Sequence, residues 1–272
     1  MTSWQKAIKY LAIAFALFLI VSIFGGIFGA LGFVTDVFDS KDAVGELQTY
    51  AVSSDIHELK LEISAAKLRI ATGDSLSVES NNPYLEVREQ NGRLTVTETD
   101  RRYTNPSGEI QVNLYLPADF IFKKVDVQTG AGQVRVERLA AEVLSLELGA
   151  GQVQIESLNA SREAKIVGGA GQVTVENGAL QNLRLDMGVG ELRITSALTG
   201  DCDLDMGVGA AYLTLVGKAD DYRIELDRGL GEATLDGERL SESTVRGNGA
   251  NKIDIDGGVG AIRIAFEAPA AA

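Results

Sequence analysis

A short phrase, Gly-x-Gly followed by an alternating apolar strand, occurs seven times from Gly130 onward and leaves the chain few folds to choose from. It reads Gly130-Ala131-Gly132-Gln133-Val134-Arg135-Val136, then Gly149-Ala150-Gly151-Gln152-Val153-Gln154-Ile155, then Gly169-Ala170-Gly171-Gln172-Val173-Thr174-Val175. It continues through Gly188-Val189-Gly190, Gly207-Val208-Gly209 and Gly229-Leu230-Gly231 to Gly258-Val259-Gly260-Ala261-Ile262-Arg263-Ile264. The first glycines are 19, 20, 19, 19, 22 and 29 residues apart. A near-constant period of about 20 is the mark of a solenoid, in which each repeat buries its apolar face only against its neighbours.

Alignment on the first glycine sorts the side chains into columns. Three residues before it stand Val127, Leu146, Ile166, Leu185, Leu204, Leu226 and Ile255; five before it stand mostly aliphatic residues and Cys202. Four and six after it come pairs such as Val134/Val136, Leu192/Ile194 and Ile262/Ile264. On a strand these positions share one face, so the alternation predicts four aliphatic ladders stacked at about 4.8 Å. The fold expected is all-β: a parallel β-solenoid of about 19–20 residues per coil, preceded by one transmembrane helix. The glycines mark corners, and the Ala, Val or Leu between them is expected to fill the corner from inside. Leu59, Leu61 and Ile63, then Ser64-Ala65-Ala66, then Leu68 and Ile70 read as a degenerate early coil. Asn91-Gly92 signals a hairpin turn, and the long gap before Gly258 suggests an excursion around Glu238 to Gly249.

The outward columns carry the candidate site. Two and four residues before the glycines, the later repeats place Asp186, Asp203, Asp205, Glu225, Asp227, Asp254 and Asp256 on one face. Stacked like charges repel by about 1 kcal/mol per close pair in water. A solvated acidic face that blocks sheet-to-sheet association explains such a stripe, and a face for divalent cations or a cationic partner is the alternative. Gln133, Gln152 and Gln172 form a second outward column able to hydrogen-bond from coil to coil. Arg228 replaces a small or apolar residue in a longer repeat, which predicts a bulge turning it outward.

Several chemistries are excluded. A net charge of −13 argues against nucleic acid as a partner. The Gly-x-Gly phrases lack the third glycine and following helix of a dinucleotide site. The calcium-binding nonapeptide repeat has a period of nine with a following Asp, which none of these phrases has. The single histidine, His57, and single cysteine, Cys202, cannot build a zinc site. Cys202 lies on the apolar parity of Leu204 and Met206 and reads as a buried, inert thiol. No catalytic residue, metal site or cofactor is predicted.

Tyr10 to Val34 is a run of 25 residues without a charge, long enough to span a bilayer as a tilted helix. A cleaved signal peptide would need a small-x-small site, and Phe28-Gly29-Ala30 puts Phe in a small-residue place. Lys6 and Lys9 precede the run and Asp36, Asp39 and Asp42 follow it, which puts the N-terminus in the cytoplasm. The expected organisation is a cytoplasmic N-terminus (1–9), a membrane helix (10–34), a linker (35–48), an extracytoplasmic solenoid (49–266) and a tail (267–272). The expected partners are the lipid bilayer and another envelope or membrane protein. Gly25 and Gly29 are spaced as GxxxG, a homodimer contact, although glycine is also common in membrane helices.

The glycine-punctuated strands, with Val-Asn-Leu-Tyr-Leu-Pro at 112–117 and Ile-Asp-Ile-Asp-Gly-Gly-Val-Gly-Ala-Ile-Arg-Ile at 253–264, resemble a bacterial β-strand-repeat family of unknown function labelled adhesin-like. The resemblance covers roughly residues 50 to 266. It implies a membrane-anchored surface domain without catalytic residues, for binding or scaffolding. Members encoded with envelope-stress or sensor-kinase systems imply the alternative of an accessory regulator acting through its membrane helix.

Overall fold

The alternation read from the sequence becomes strand almost everywhere. The computed structural model describes residues 45–53, 55–99 and 109–268. The expected N-terminus (1–9), membrane helix (10–34), most of the linker and most of the tail lie outside these residues. Among the described residues no helix is long and apolar enough to cross a membrane.

Six strands precede the repeats: β1 (Gln48–Ala51), β2 (Glu58–Thr72), β3 (Ser77–Ser80), β4 (Leu85–Gln90), β5 (Arg93–Glu98) and β6 (Gln111–Leu116). β7 (Phe122–Val175) then runs unbroken through the first three glycine phrases, followed by β8 (Gly178–Gln181), β9 (Leu183–Thr199) and β10 (Asp201–Val216). After a 3₁₀ turn (Ala219–Asp221) come β11 (Tyr222–Asp227), β12 (Leu230–Leu235), β13 (Glu238–Arg239), β14 (Ser243–Gly247) and β15 (Asn251–Glu267). All belong to one sheet.

Parallel pairing in register stacks each aliphatic column on itself. Leu192 lies between Val173 and Ala211, and Leu185 between Ile166 and Leu204. The four columns are buried from Val125 to Ile264, with Leu235 half-buried. Every coil thus removes its apolar side chains from water only by stacking, each contributing about 1.5–3 kcal/mol.

The coils do not stack in sequence order. The last strand, β15, lies directly on β10, with Ile255 beside Leu204 and Ile262 beside Ala211. β11 and β12 form a coil on the far side of β15, with Leu226 beside Ile255 and Ala233 beside Ile262. The excursion expected around 238–249 is the cap of this end: β14 and β13 pair antiparallel with β11 and β12. The other end mirrors the arrangement. β2 lies between β7 on one side and β5 and β6 on the other. β4 and β3 close that coil in antiparallel pairing, and β1 follows on β3. Short antiparallel strands therefore cover both ends of a parallel stack whose open edges would otherwise invite another chain.

The second glycine of each corner answers two demands at once. Gly209 has φ +143°, which L side chains rarely adopt, and a Cβ there would overlap the carbonyl oxygen of Gly190 in the next coil. The same overlap recurs along the column from Gly132 to Gly231. Ala66 occupies this place in β2, and the pairing shows why it is tolerated. β5 pairs with β2 only as far as Glu62, and β6 resumes at Lys67. Among the described residues no strand pairs with that corner on the outer side. There the Ser64 N–H donates to the Glu98 carboxylate at 2.7 Å instead of to a neighbouring coil.

The residues between the glycines stay at the surface, which corrects the expectation that they fill the corner from inside. Ala131 is exposed and Val208 half-buried, while Val259 and Leu230 are 40% and 60% exposed. The interior is already filled by the flanking columns, so the bend carries these side chains outward.

Candidate functional site

The register assembles the predicted carboxylates into two adjacent ladders. Asp186, Asp205, Asp256 and Asp227 lie side by side on β9, β10, β15 and β11. The neighbouring column runs Arg184, Asp203, Asp254 and Glu225. All seven predicted acidic residues are therefore brought together, but in an order set by the inserted β15. Asp256, near the C-terminus, sits inside the ladder, between Asp205 and Asp227.

The two ladders differ in how they are balanced. Lys252 lies 3.4 Å from Asp254 and 3.9 Å from Glu225, and Arg223 lies 2.8 Å from Glu225. The Arg223 hydrogen bond, helped by Lys252, holds the Glu225 carboxyl below its ordinary range. Among the described residues the ladder of four aspartates has no ion-pair partner. Desolvation, followed by the charges of Asp205, Asp254, Asp227 and Asp203, raises the Asp256 carboxyl above its ordinary range.

The sign of the consequence follows from linkage. A carboxyl that binds its proton more tightly when folded favours the native state at low pH and costs stability as pH rises through its folded pKa. Asp256→Asn is therefore expected to raise Tm at neutral pH by about 1–3 °C, a modest figure because the site is exposed and screened. The difference should shrink toward zero at about pH 3. Thermal scans of both proteins across pH measure it, and an unchanged or lower Tm at pH 7 would refute it.

A ladder is not a cage. Among the described residues no three His, Cys, Asp or Glu side chains are grouped so as to hold a metal ion. The arrangement offers instead a row of negative charge at the strand spacing of about 4.8 Å.

Across the glycine corner lies a face of different character. The glutamine column forms part of a hydrogen-bonded chain: Gln152 donates to Gln172 at 3.4 Å, and Gln172 to Glu191 at 3.0 Å. Glu191 accepts from Arg193 at 2.7 Å, which lowers its carboxyl pKa. Arg193 and Arg263 flank the Tyr212 ring at 4.0 and 5.2 Å. The repeat alignment could have shown this cation–π stack only with the true coil order, because Arg263 belongs to β15.

The remaining singled-out residues are structural. Cys202 is buried, and desolvation pushes its thiol up to about 11. It is expected to resist alkylation at pH 8 in the native protein and to react on unfolding, as a timed thiol assay would show. The His57 ring packs against Gly92 in the β4–β5 turn, where Asn91 and Gly92 have φ +52° and +74°. Arg228 departs from the expected outward bulge. It is half-buried where the strand breaks between β11 and β12, and donates to the Gly231 carbonyl while its buried Nε has no partner among the described residues.

In a comparison with known proteins, a family model described as Toastrack DUF4097 matches residues 56–209 and again 102–265, together spanning well over half of the chain. A solved structure described as a "putative adhesin" from Parabacteroides distasonis is 13% identical, with a TM-score of 0.43, covering 82% of this chain and 98% of that one. Another, a "putative cell adhesion protein" from Clostridium sporogenes, is 15% identical, with a TM-score of 0.33, covering 82% and 99%. A third, a "putative lipid binding protein" from Parabacteroides distasonis, is 14% identical, with a TM-score of 0.33, covering 82% and 98%. No curated protein matches.

Proposed function

The chain belongs to the Toastrack family DUF4097, whose function is unknown, and from that premise we propose a non-catalytic, membrane-anchored β-solenoid that binds or scaffolds a partner at the cell surface. The helix at 10–34 anchors it in the bilayer with the N-terminus in the cytoplasm, and Gly25 and Gly29 bring two copies together there. The partner is a protein of the envelope or membrane. The observation that carries this reading is the ladder of Asp186, Asp205, Asp256 and Asp227, four carboxylates held on a rigid sheet that form no ion pair with the described residues. Charge kept unbalanced on a fixed face favours a cationic partner and raises its rate of encounter.

Replacing residues 10–34 by an unrelated membrane span tests the division of labour. Partner capture, measured by cross-linking from intact membranes, should survive the swap and fall in an Asp205→Asn, Asp256→Asn double variant. Loss on the swap with no effect of the double variant would favour the accessory regulator acting through its helix.

A further inference from the structure

Where β6 pairs with β2, and β2 with β7, a groove of about 160 Å³ opens on the face across the corner from the carboxylates. Its floor runs over Leu68 and Val134. Gln111 and Asn113 of β6 and Gln133 and Arg135 of β7 line it on either side of β2, whose Lys67 and Arg69 stand between the two pairs. None of the four side chains has a hydrogen-bond or ion-pair partner among the described residues, although the backbones around them are satisfied.

The other polar side chains of the lining are all engaged. Lys67 pairs with Glu109 at 2.6 Å and Arg69 with Glu137 at 2.6 Å. Gln152 donates to Gln172, and Gln154 donates to Glu176 at 2.8 Å. The two cations of the middle strand are thus neutralised by carboxylates outside the lining, while the four side chains on either side of β2 keep their donors and acceptors open. The lining holds three cations and five amides, and no carboxylate or aromatic ring.

That inventory selects a ligand class. Amide side chains donate and accept at once, as sugar hydroxyls do, whereas a simple anion needs donors alone. The absence of aromatic rings and exposed aliphatic side chains from the lining speaks against a lipid chain. The unpaired Arg135 guanidinium calls for an oxyanion, which it can meet with a planar pair of hydrogen bonds. We propose that this groove binds an acidic saccharide, with Gln111, Asn113 and Gln133 on its hydroxyls and Arg135 on its carboxylate. The site is separate from the carboxylate ladders and does not depend on the partner proposed for them.

Calorimetric titration of the full-length protein in detergent with an oligogalacturonate tests it, with a neutral oligoglucoside and inorganic phosphate as comparators. The acidic sugar should bind and the neutral one should bind at least tenfold more weakly. Arg135→Ala should weaken binding about tenfold or more, Arg135→Lys should recover part of it, and Gln133→Ala should weaken it about threefold or more. Both positions are exposed, so Tm should stay near wild type. The Asp205→Asn, Asp256→Asn double variant should bind the sugar as wild type does. No heat with the acidic sugar, equal binding by Arg135→Ala, or full displacement by equimolar phosphate would overturn the proposal. Any of these would leave the surface-binding reading, tested by the span swap, standing.

Discussion

Gly209→Ala is expected to lower Tm by about 6–12 °C. Gly209 has φ +143°, a region that costs a non-glycine residue about 1–3 kcal/mol. Its Cβ would also overlap the Gly190 carbonyl oxygen, an atom fixed by the pairing of β9 with β10. Relief would require the two coils to part, and each coil is locked to the next by buried residues such as Leu204 and Leu213. A total of at least about 3 kcal/mol follows, at about 2–4 °C per kcal/mol for a domain of this size. Gly237→Ala is the control. Gly237 has φ +81° in the turn between β12 and β13, and a methyl group added there would meet nothing within 4 Å. Only the backbone term applies there, about 1 kcal/mol. Differential scanning calorimetry compares the two, and an equal loss in both would show that the stacking contact is unimportant.

A chain ending at Ala250 is expected to leave β11, β12, β13 and β14 unfolded while the earlier coils hold. β11 and β12 reach the rest of the stack by pairing with β15. Removing β15 takes away Ile253, Ile255, Ile262 and Ile264, all buried. Truncating any one such side chain to alanine costs about 2–5 kcal/mol, so losing all four removes an amount comparable to the whole margin of about 5–15 kcal/mol on which a domain rests. The damage should stay local because a stacked-repeat protein is held by nearest-neighbour contacts. Hydrogen exchange should show residues 222–247 exchanging like an unfolded chain and residues 122–175 still protected. Protection persisting in 222–235 would mean that β12 can close directly onto β10.

Much of this fold was legible because the columns are local. Val125, Leu146 and Val173 announce their direction by alternation with their immediate neighbours, and burial follows from parity alone. The coil order was not legible, because Gly229-Leu230-Gly231 and Gly258-Val259-Gly260 are equally good neighbours for Gly207-Val208-Gly209. Only the capping strands β13 and β14, which hold Gly229 at the outside, decide between them. The inward expectation for Val208 and Val259 failed for a related reason: period-two parity breaks at a corner, where the backbone turns. The acidic ladder could be read from the repeat, whereas the polar groove could not. Gln111 and Asn113 belong to no repeat, and only the pairing of β6 on β2 brings them onto the face of Gln133 and Arg135, with β2 between the two pairs.

The early strand β2 and the last strand β15 are each tucked in beneath capping strands, so the capped ends are single-copy parts while the middle is made of interchangeable layers. A gene can therefore duplicate or delete about 20 codons between β7 and β10 without redesigning either cap. Each such event moves the polar groove and the carboxylate ladder apart or together by about 4.8 Å, the thickness of one layer. The reach between them is a ruler graduated in whole coils, and its length is set by copy number instead of by side-chain chemistry.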